Sequence, residues 1–417
     1  MRKHSGIPAA DAGAAVITDF DDELPGLGPT PISGSNQTTM RGMNERLVLH
    51  LLRRSDTLTK AEATRATGLS ANAVSMIFRK LEEEGFLLRG EPLRGRVGQP
   101  SIPMRLNPAA RHYLGFKIGR HSYDAVIADF TGTVRARQTE RHAYPTPASA
   151  EAFIRAAFPP LLRKARLRRS DIAAASVAMP GELWHWLDDF GAPHAEMAAW
   201  RDFDATAAFA QVLPGPISVE NDATAACRAE LIFGPDRRHR DSVYFFVGAF
   251  IGGGIVLNGS VFTGARGTSG GFGPMRIPDE PGGTRLVDHA SLAVLERLVR
   301  EGGHDPAALY GGQPGWDALE PVVGPWIARS ARSLAHAVVS TLAVIDVEGV
   351  VIDGALPPSV RSRLVTEVRE QFDLLDQQGV IRPKIDEGSF GSVARALGAA
   401  AYHISTDYMV DQNRFGR

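Results

Sequence analysis

The sequence predicts a small three-helix head closed by a basic hairpin, followed by a larger α/β body. Three observations predict it. Between about Thr38 and Leu106, helical apolar spacing occurs three times in succession and ends in a turn-rich segment. That segment carries 12 Lys or Arg against 7 Asp or Glu, although the whole chain of 417 residues has a net charge of only -1. From Tyr113 onward, short apolar runs alternate with longer helical patterns, the texture of sheets covered by helices.

The first predicted helix covers about Met43 to Arg54, with Met43, Leu47, Val48, Leu51 and Leu52 on one face. Thr59-Lys60-Ala61-Glu62 reads as a capping box that opens a second, short helix, and Gly68 ends it. Ser70 can cap a third helix that runs to about Glu84 before Gly85. On this helix Val74, Ile77, Phe78 and Leu81 point to a core. Asn72, Ser75, Met76 and Arg79 share the opposite face, with Lys80 beside them. These side chains, together with Ser70 at the helix start, are expected to reach base edges and phosphates. The acidic run Glu82–Glu84 lies at the far end, so the N-terminal half is the part expected to enter a major groove. Phe86–Leu88 and Ile102–Met104 are expected to bracket a wing loop, Arg89 to Pro100, whose Arg94 and Arg96 would touch DNA. The head is thus expected to be a winged helix-turn-helix that binds double-stranded DNA.

In the body, strands are expected at Asp124–Ala128, Ala173–Ala178, Ile217–Val219, Ser242–Val247 and Val350–Ile352. Ser333–Ile352 is apolar, but His336, Asp346 and Glu348 interrupt it, so it reads as core and not as a membrane span. The opening residues are rich in Gly, Pro, Ala and Asp and lack an apolar signal region, so a flexible arm and no signal peptide are expected. The single cysteine, Cys227, allows no disulfide within the chain and fits a reducing cytoplasmic location.

Ser35-Asn36-Gln37, Arg41, Asn44, Gly68–Ser70, Glu220–Ala223, Ile251–Gly259, Gly264–Gly270 and Leu397–Ala400 together resemble the ROK family (repressors, open reading frames, kinases). The resemblance implies a two-lobed, actin-like or ribonuclease-H-like sugar-kinase fold behind the winged helix. The expected layout is an arm over 1–37, the head over 38–106, and lobes over 107–231 and 232–395. A C-terminal helix over 396–417 would pack back on the first lobe. In family kinases the residues matching Asp222 and Asn221 act as general base and sugar ligand, and glycine loops such as that at Gly252–Gly254 approach ligand oxygens.

The sequence also departs from the kinase pattern. Where the family carries the acidic residue of its first phosphate loop, Lys117 stands. Gly271 and Pro274 replace a sugar-binding Glu and a His that also binds zinc, and the family's cysteine-rich zinc loop is absent, with Glu280–Thr284 in its place. No kinase activity, cofactor or metal site is therefore expected. Asn221, Asp222, Gly253, Gly254 and Gly270 remain as candidate ligand contacts, joined by Glu182 and His194 from a stretch rich in Trp and His.

The resulting expectation is a repressor of carbohydrate genes. A sugar-type effector would act between the lobes of a homodimer or homotetramer on a palindromic operator. The rival expectations are an active ROK kinase with a regulatory head, and an effector-independent DNA-binding protein that uses the body only to oligomerise.

Overall fold

The structure, a computed structural model, describes residues 37–92, 101–181, 183, 192–235, 239–278, 283–310, 312–411 and 413. The arm, Arg94, Arg96, Glu182, the Trp184–Asp189 stretch and Glu280–Gly282 lie outside them. The chain divides into two units, Met1–Arg41 and Gly42–Arg417, and the head residues from Gly42 and both body lobes belong to the second.

Helices α1 (Gln37–Arg54), α2 (Lys60–Thr67) and α3 (Ala71–Glu83) build the head. The Thr59–Glu62 capping box forms in both directions, Gly68 closes α2 with φ +70°, and the Ser70 side chain caps α3. The apolar face is as expected: Val74, Ile77, Phe78 and Leu81 are buried with Val48, Leu49 and Leu52 of α1. Helix α1 begins earlier than the apolar spacing marks, because its first turns carry polar residues and no periodic apolar signal. The wing strands are shifted too. β1 is Leu87–Arg89 and pairs antiparallel with β2, Met104–Leu106. Pro103 lacks an amide for the ladder, which favours the shift past it.

The body holds two five-stranded sheets of the same topology. In the first, β3 (His112–Ile118), β4 (Ser122–Asp129) and β5 (Val134–Arg141) form an antiparallel meander. β6 (Ile172–Met179) and β7 (Ile217–Asn221) then add in parallel, with α4 (Pro147–Ala165) packed against the sheet through Phe153, Ile154, Phe158 and Leu161. β5 escapes the alternation rule because it is an edge strand with mostly polar, exposed residues. The second sheet repeats the plan. β8 (Ser242–Val247), β9 (Ile251–Leu257) and β10 (Ser260–Phe262) meander, and β11 (Gly349–Gly354) and β12 (Lys384–Glu387) run parallel. Helices α6 (Leu292–Glu301), α7 (Glu320–Leu342) and α8 (Pro358–Asp373) pack with this sheet. The apolar Ile327–Leu342 run is core: Ile327, Leu334 and Val338 are fully buried.

Two helices join the sheets, α5 (Asp222–Phe233) and α9 (Ala394–Tyr408). Small residues let them approach closely. A Cβ on Gly398 of α9 would lie 1.6 Å from the Ala225 carbonyl oxygen of α5. One on Gly115 of β3 would lie 1.9 Å from the Ala396 carbonyl oxygen, so α9 rests on the first sheet. One on Gly254 of β9 would lie 2.5 Å from Cys227 Cβ, so α5 rests on the second.

This packing revises the reading of the glycine run. Gly252–Gly254 is strand, not a loop, and the space over Gly253 and Gly254 is filled by Tyr244, Phe272 and Cys227 of the protein itself. Gly270 (φ +85°) backs onto Gly254, its absent Cβ 2.6 Å from the Gly254 Cα. These glycines are explained by close packing of main chain and helix, which corrects the expectation that Gly253, Gly254 and Gly270 face a ligand. Cys227 is buried there, and burial pushes its thiol up to about 12.

Candidate functional site

On the head, α3 presents a solvent-facing row. Asn72 and Arg79 are exposed, Met76 is 45% exposed and Ser75 is half-buried. The exposed thioether sits in the middle of the row. Arg79 reaches Glu83 at 3.8 Å, but both side chains are about 70% exposed, so the pair is weak and readily exchanged for a phosphate. Ser70 is exposed, and its hydroxyl accepts the Ala73 amide at 3.2 Å as an N-cap. Lys80 departs from expectation. Its ammonium lies 2.7 Å from Glu45 of α1 and 3.8 Å from Glu84, so it braces the head instead of joining the row.

The head is keyed to the body by aromatic contacts. Phe86 of the head, Phe130 after β4 and Tyr408 at the end of α9 form a triangle with ring centroids 5.1 to 5.4 Å apart. Arg53 of α1 donates to the Phe130 carbonyl at 2.7 Å, and Arg46 donates to the Thr406 carbonyl at 3.2 Å. Head core and first-lobe core are one continuous apolar cluster.

In the body, the candidate cleft lies where β3, β6 and β7 end and the two sheets face each other, as ligand sites do in α/β folds. The Asn221 side chain accepts the Ala223 and Thr224 amides at 3.0 and 3.2 Å, so it caps α5. The Asp222 carboxylate beside it is held by Arg395 Nη1 at 3.0 Å, with both side chains mostly buried. The Arg395 guanidinium also stacks 4.9 Å over the Phe246 ring of the second sheet. Arg395 is thus the contact that links the carboxylate of one lobe to the other. Sequence reasoning missed it, because nothing in the spacing of residues 173 positions apart joins them.

Lys117 is buried on β3 and clamps Asp124 at 2.7 Å and Ser122 at 2.8 Å. Burial lowers its pKa to about 8, partly offset by Asp124. Burial would raise the Asp124 carboxyl, but Lys117, Thr139 and Arg137 overcome it and hold the group well below the usual carboxylate range. An ammonium and its counter-ion therefore occupy the start of the β3–β4 turn. Gly271 and Pro274 are exposed. His194 opens a short helix and is exposed. Trp200, at the end of the aromatic stretch, is core: its indole donates to the Pro145 carbonyl at 3.0 Å.

The same turn closes the cleft mouth. His121 Nε2 lies 3.2 Å from Glu296 Oε1 of α6, whose side chain is 4% exposed. The Tyr310 hydroxyl donates to the same oxygen, and Arg300 stands 3.6 Å from the other. Arg141, at the end of β5, stacks 3.7 Å over the Tyr310 ring, and Arg120 lies 5.4 Å over Phe250. Arg120, His121 and Arg141 of the first lobe and aromatic or acidic partners of the second thus form a clasp. Among the described residues no group of three or more His, Cys, Asp or Glu could hold a metal ion, and no helix is long and apolar enough to cross a membrane.

Comparison with known proteins agrees with this architecture. The family model described as ROK family matches residues 113–285. The N-acetylglucosamine repressor of Escherichia coli O6:H1 is 23% identical over 401 residues, covering 87% of this chain and 95% of that protein. The bifunctional enzyme NanE/NanK of Brucella melitensis is 31% identical over 277 residues, 64% of this chain, and the chain spans about half, 50%, of its length. Among solved structures, a ROK family transcriptional regulator described as a homologue of the E. coli MLC protein superposes with a TM-score of 0.61 at 18% identity, covering 88% of this chain and 97% of that one. Residues 113–285 thus form a ROK family domain, and the superposed regulator shares the fold of this chain.

Proposed function

We propose that this chain is a sugar-responsive transcriptional repressor whose body is not a working kinase. The observation that carries the reading is the exposed Asn72–Ser75–Met76–Arg79 row on a head that shares its core with the effector lobe. The N-acetylglucosamine repressor supports it, being matched over 95% of its length.

The mechanism follows from α9. This helix of 15 residues spans about 22 Å. Arg395 near its start holds Asp222 in the cleft, and Thr406 and Tyr408 near its end touch Arg46 and Phe86 of the head. A sugar hydroxyl that hydrogen-bonds Asp222 competes with Arg395. Freeing Arg395 changes how α9 sits, and the head rides on the other end. Such coupling needs only a different ligand affinity for the two arrangements. Two heads in a homodimer or homotetramer would read the half-sites of a palindromic operator, one helical turn apart.

Kinase chemistry is disfavoured by charge. The buried Lys117 stands where the family carries an acid, which removes a group for metal and nucleotide. The NanE/NanK relative is the reason to test this directly. Purified protein with ATP, magnesium and a panel of hexoses should release no ADP above background. Turnover with any hexose would restore the kinase reading. Binding to DNA from upstream of the protein's own gene, weakened by a sugar, is the positive test.

A further inference from the structure

A cavity of about 720 Å³ opens between the head and the body. Its volume suits a small-molecule ligand. It shares no residue with Asn221 or Asp222. Helix α5 separates the two: its first residues face the cleft, while Arg228 and Glu230, further along, line the cavity. The other walls are α1 of the head, the second half of α9 and the edge strand β10.

The wall formed by α1 is basic. Arg46, His50, Arg53 and Arg54 line the cavity at i, i+4, i+7 and i+8, one face of the helix. The hydrogen bond of Arg46 goes to a neutral carbonyl, that of Thr406. Each acid across the cavity has a partner; Asp411 accepts the Asn413 amide at 3.0 Å. Asp386 pairs with His239 at 2.8 Å, and Glu387 with Arg361 at 2.8 Å. Glu230 is held by the Ser389 amide and hydroxyl at 2.9 and 2.7 Å. Hydroxyl and carboxyl acceptors therefore face the basic α1 wall, in which the Arg53 guanidinium is held by the Phe130 carbonyl and stacks on Phe130 and Phe233. Apolar ground between them is given by Val261 and Met409.

We propose that this junction cavity is a second effector site, for a sugar-sized molecule bearing one phosphate or carboxylate. The anionic group sits against the α1 wall and the hydroxyls face Glu230 and Ser389. Because α1 belongs to the head and Tyr402, Ser405 and Thr406 belong to α9, the occupant bridges the head to the helix that carries the cleft signal. Occupancy therefore changes operator affinity independently of Asp222. The inference goes beyond the cleft reading and does not need it.

The test is calorimetric titration of the full chain with glucose 6-phosphate, glucuronate, inorganic phosphate and glucose. Wild type is compared with Val261→Trp, which fills the cavity, Glu230→Gln, which alters its chemistry, and Asp222→Asn in the cleft. Melting curves and circular dichroism check that each variant is folded. The expected result is that an anionic sugar binds wild type and Asp222→Asn alike, and binds Val261→Trp or Glu230→Gln at least tenfold more weakly. Glucose alone should be insensitive to Val261→Trp. Binding of the anionic sugars that is lost in Asp222→Asn and kept in both cavity variants would assign them to the cleft and overturn the proposal. So would a wild type that binds neither glucose 6-phosphate nor glucuronate, or binds inorganic phosphate equally well.

Discussion

Replacing Glu296 with Ala removes the centre of the clasp that joins the lobes. The carboxylate is 4% exposed and receives His121 at 3.2 Å, the Tyr310 hydroxyl, and Arg300 at 3.6 Å. Burial alone would raise its pKa, but the hydrogen bonds from His121 and Tyr310 outweigh this and hold it below the ordinary value. The ionised form is thus the stabilised one. Arg300 is 59% exposed and is solvated once released, so it adds little. The loss falls on Tyr310, whose hydroxyl stays partly buried without this acceptor at about 1–3 kcal/mol, and on the close approach of His121. A total of about 3 kcal/mol is expected. That shifts a closed-to-open equilibrium by a factor of about 150. Glu296→Gln keeps one acceptor oxygen, which can take the place of the Oε1 that Tyr310 and His121 share, and should lose only about 1 kcal/mol. The assay is hydrogen exchange at residues 118–122 and 306–310, with energy transfer between dyes on the two lobes. Faster exchange at both segments and a longer interlobe distance are expected in Glu296→Ala, and a smaller change in Glu296→Gln. Because the folded pKa is depressed, the wild-type contribution is present above the unfolded pKa and fades as pH falls through the folded one. Unchanged exchange and distance in Glu296→Ala would refute the clasp.

Three further outcomes follow from packing and charge. Gly398→Ala puts a methyl 1.6 Å from a main-chain oxygen of α5 that cannot rotate away, so it should destabilise by at least about 3 kcal/mol in thermal melts. Gly42→Ala in α1 meets nothing within 4 Å and should stabilise by up to about 1 kcal/mol. Burial raises Glu230 to about 7, so the folded state holds a proton that the unfolded chain releases near pH 4.5. Stability should therefore fall by roughly 3 kcal/mol between pH 4.5 and 7 from this group alone, and Glu230→Gln should remove that slope in urea unfolding.

Local rules made the head legible. Thr59, Gly68, Ser70 and Gly85 each act through their own neighbours, and the core face of α3 follows from spacing alone. The strands of the body were visible where they are buried on both faces, as at Ser242–Val247, and invisible at the edge strand Val134–Arg141. The cleft was only half legible. Asn221 and Asp222 are marked by a motif, but their partners come from far along the chain, and Arg395 carries no local signal. The glycines illustrate the limit most clearly. Their spacing allows a ligand loop and a close packing contact equally, and the positions of Tyr244, Phe272 and Cys227 decide for the second.

The central claim is that the α3 row binds operator DNA. The direct measurement is fluorescence-anisotropy titration of the full chain with DNA from upstream of its own gene, across a salt series. Asn72→Ala and Arg79→Ala are compared with wild type. Tight, salt-dependent binding is predicted, weakened by about 1–3 kcal/mol in Asn72→Ala, where a base contact is lost. Arg79→Ala should reduce the log–log salt slope by about 1. Equal affinity and equal salt slope in all three proteins would contradict the account.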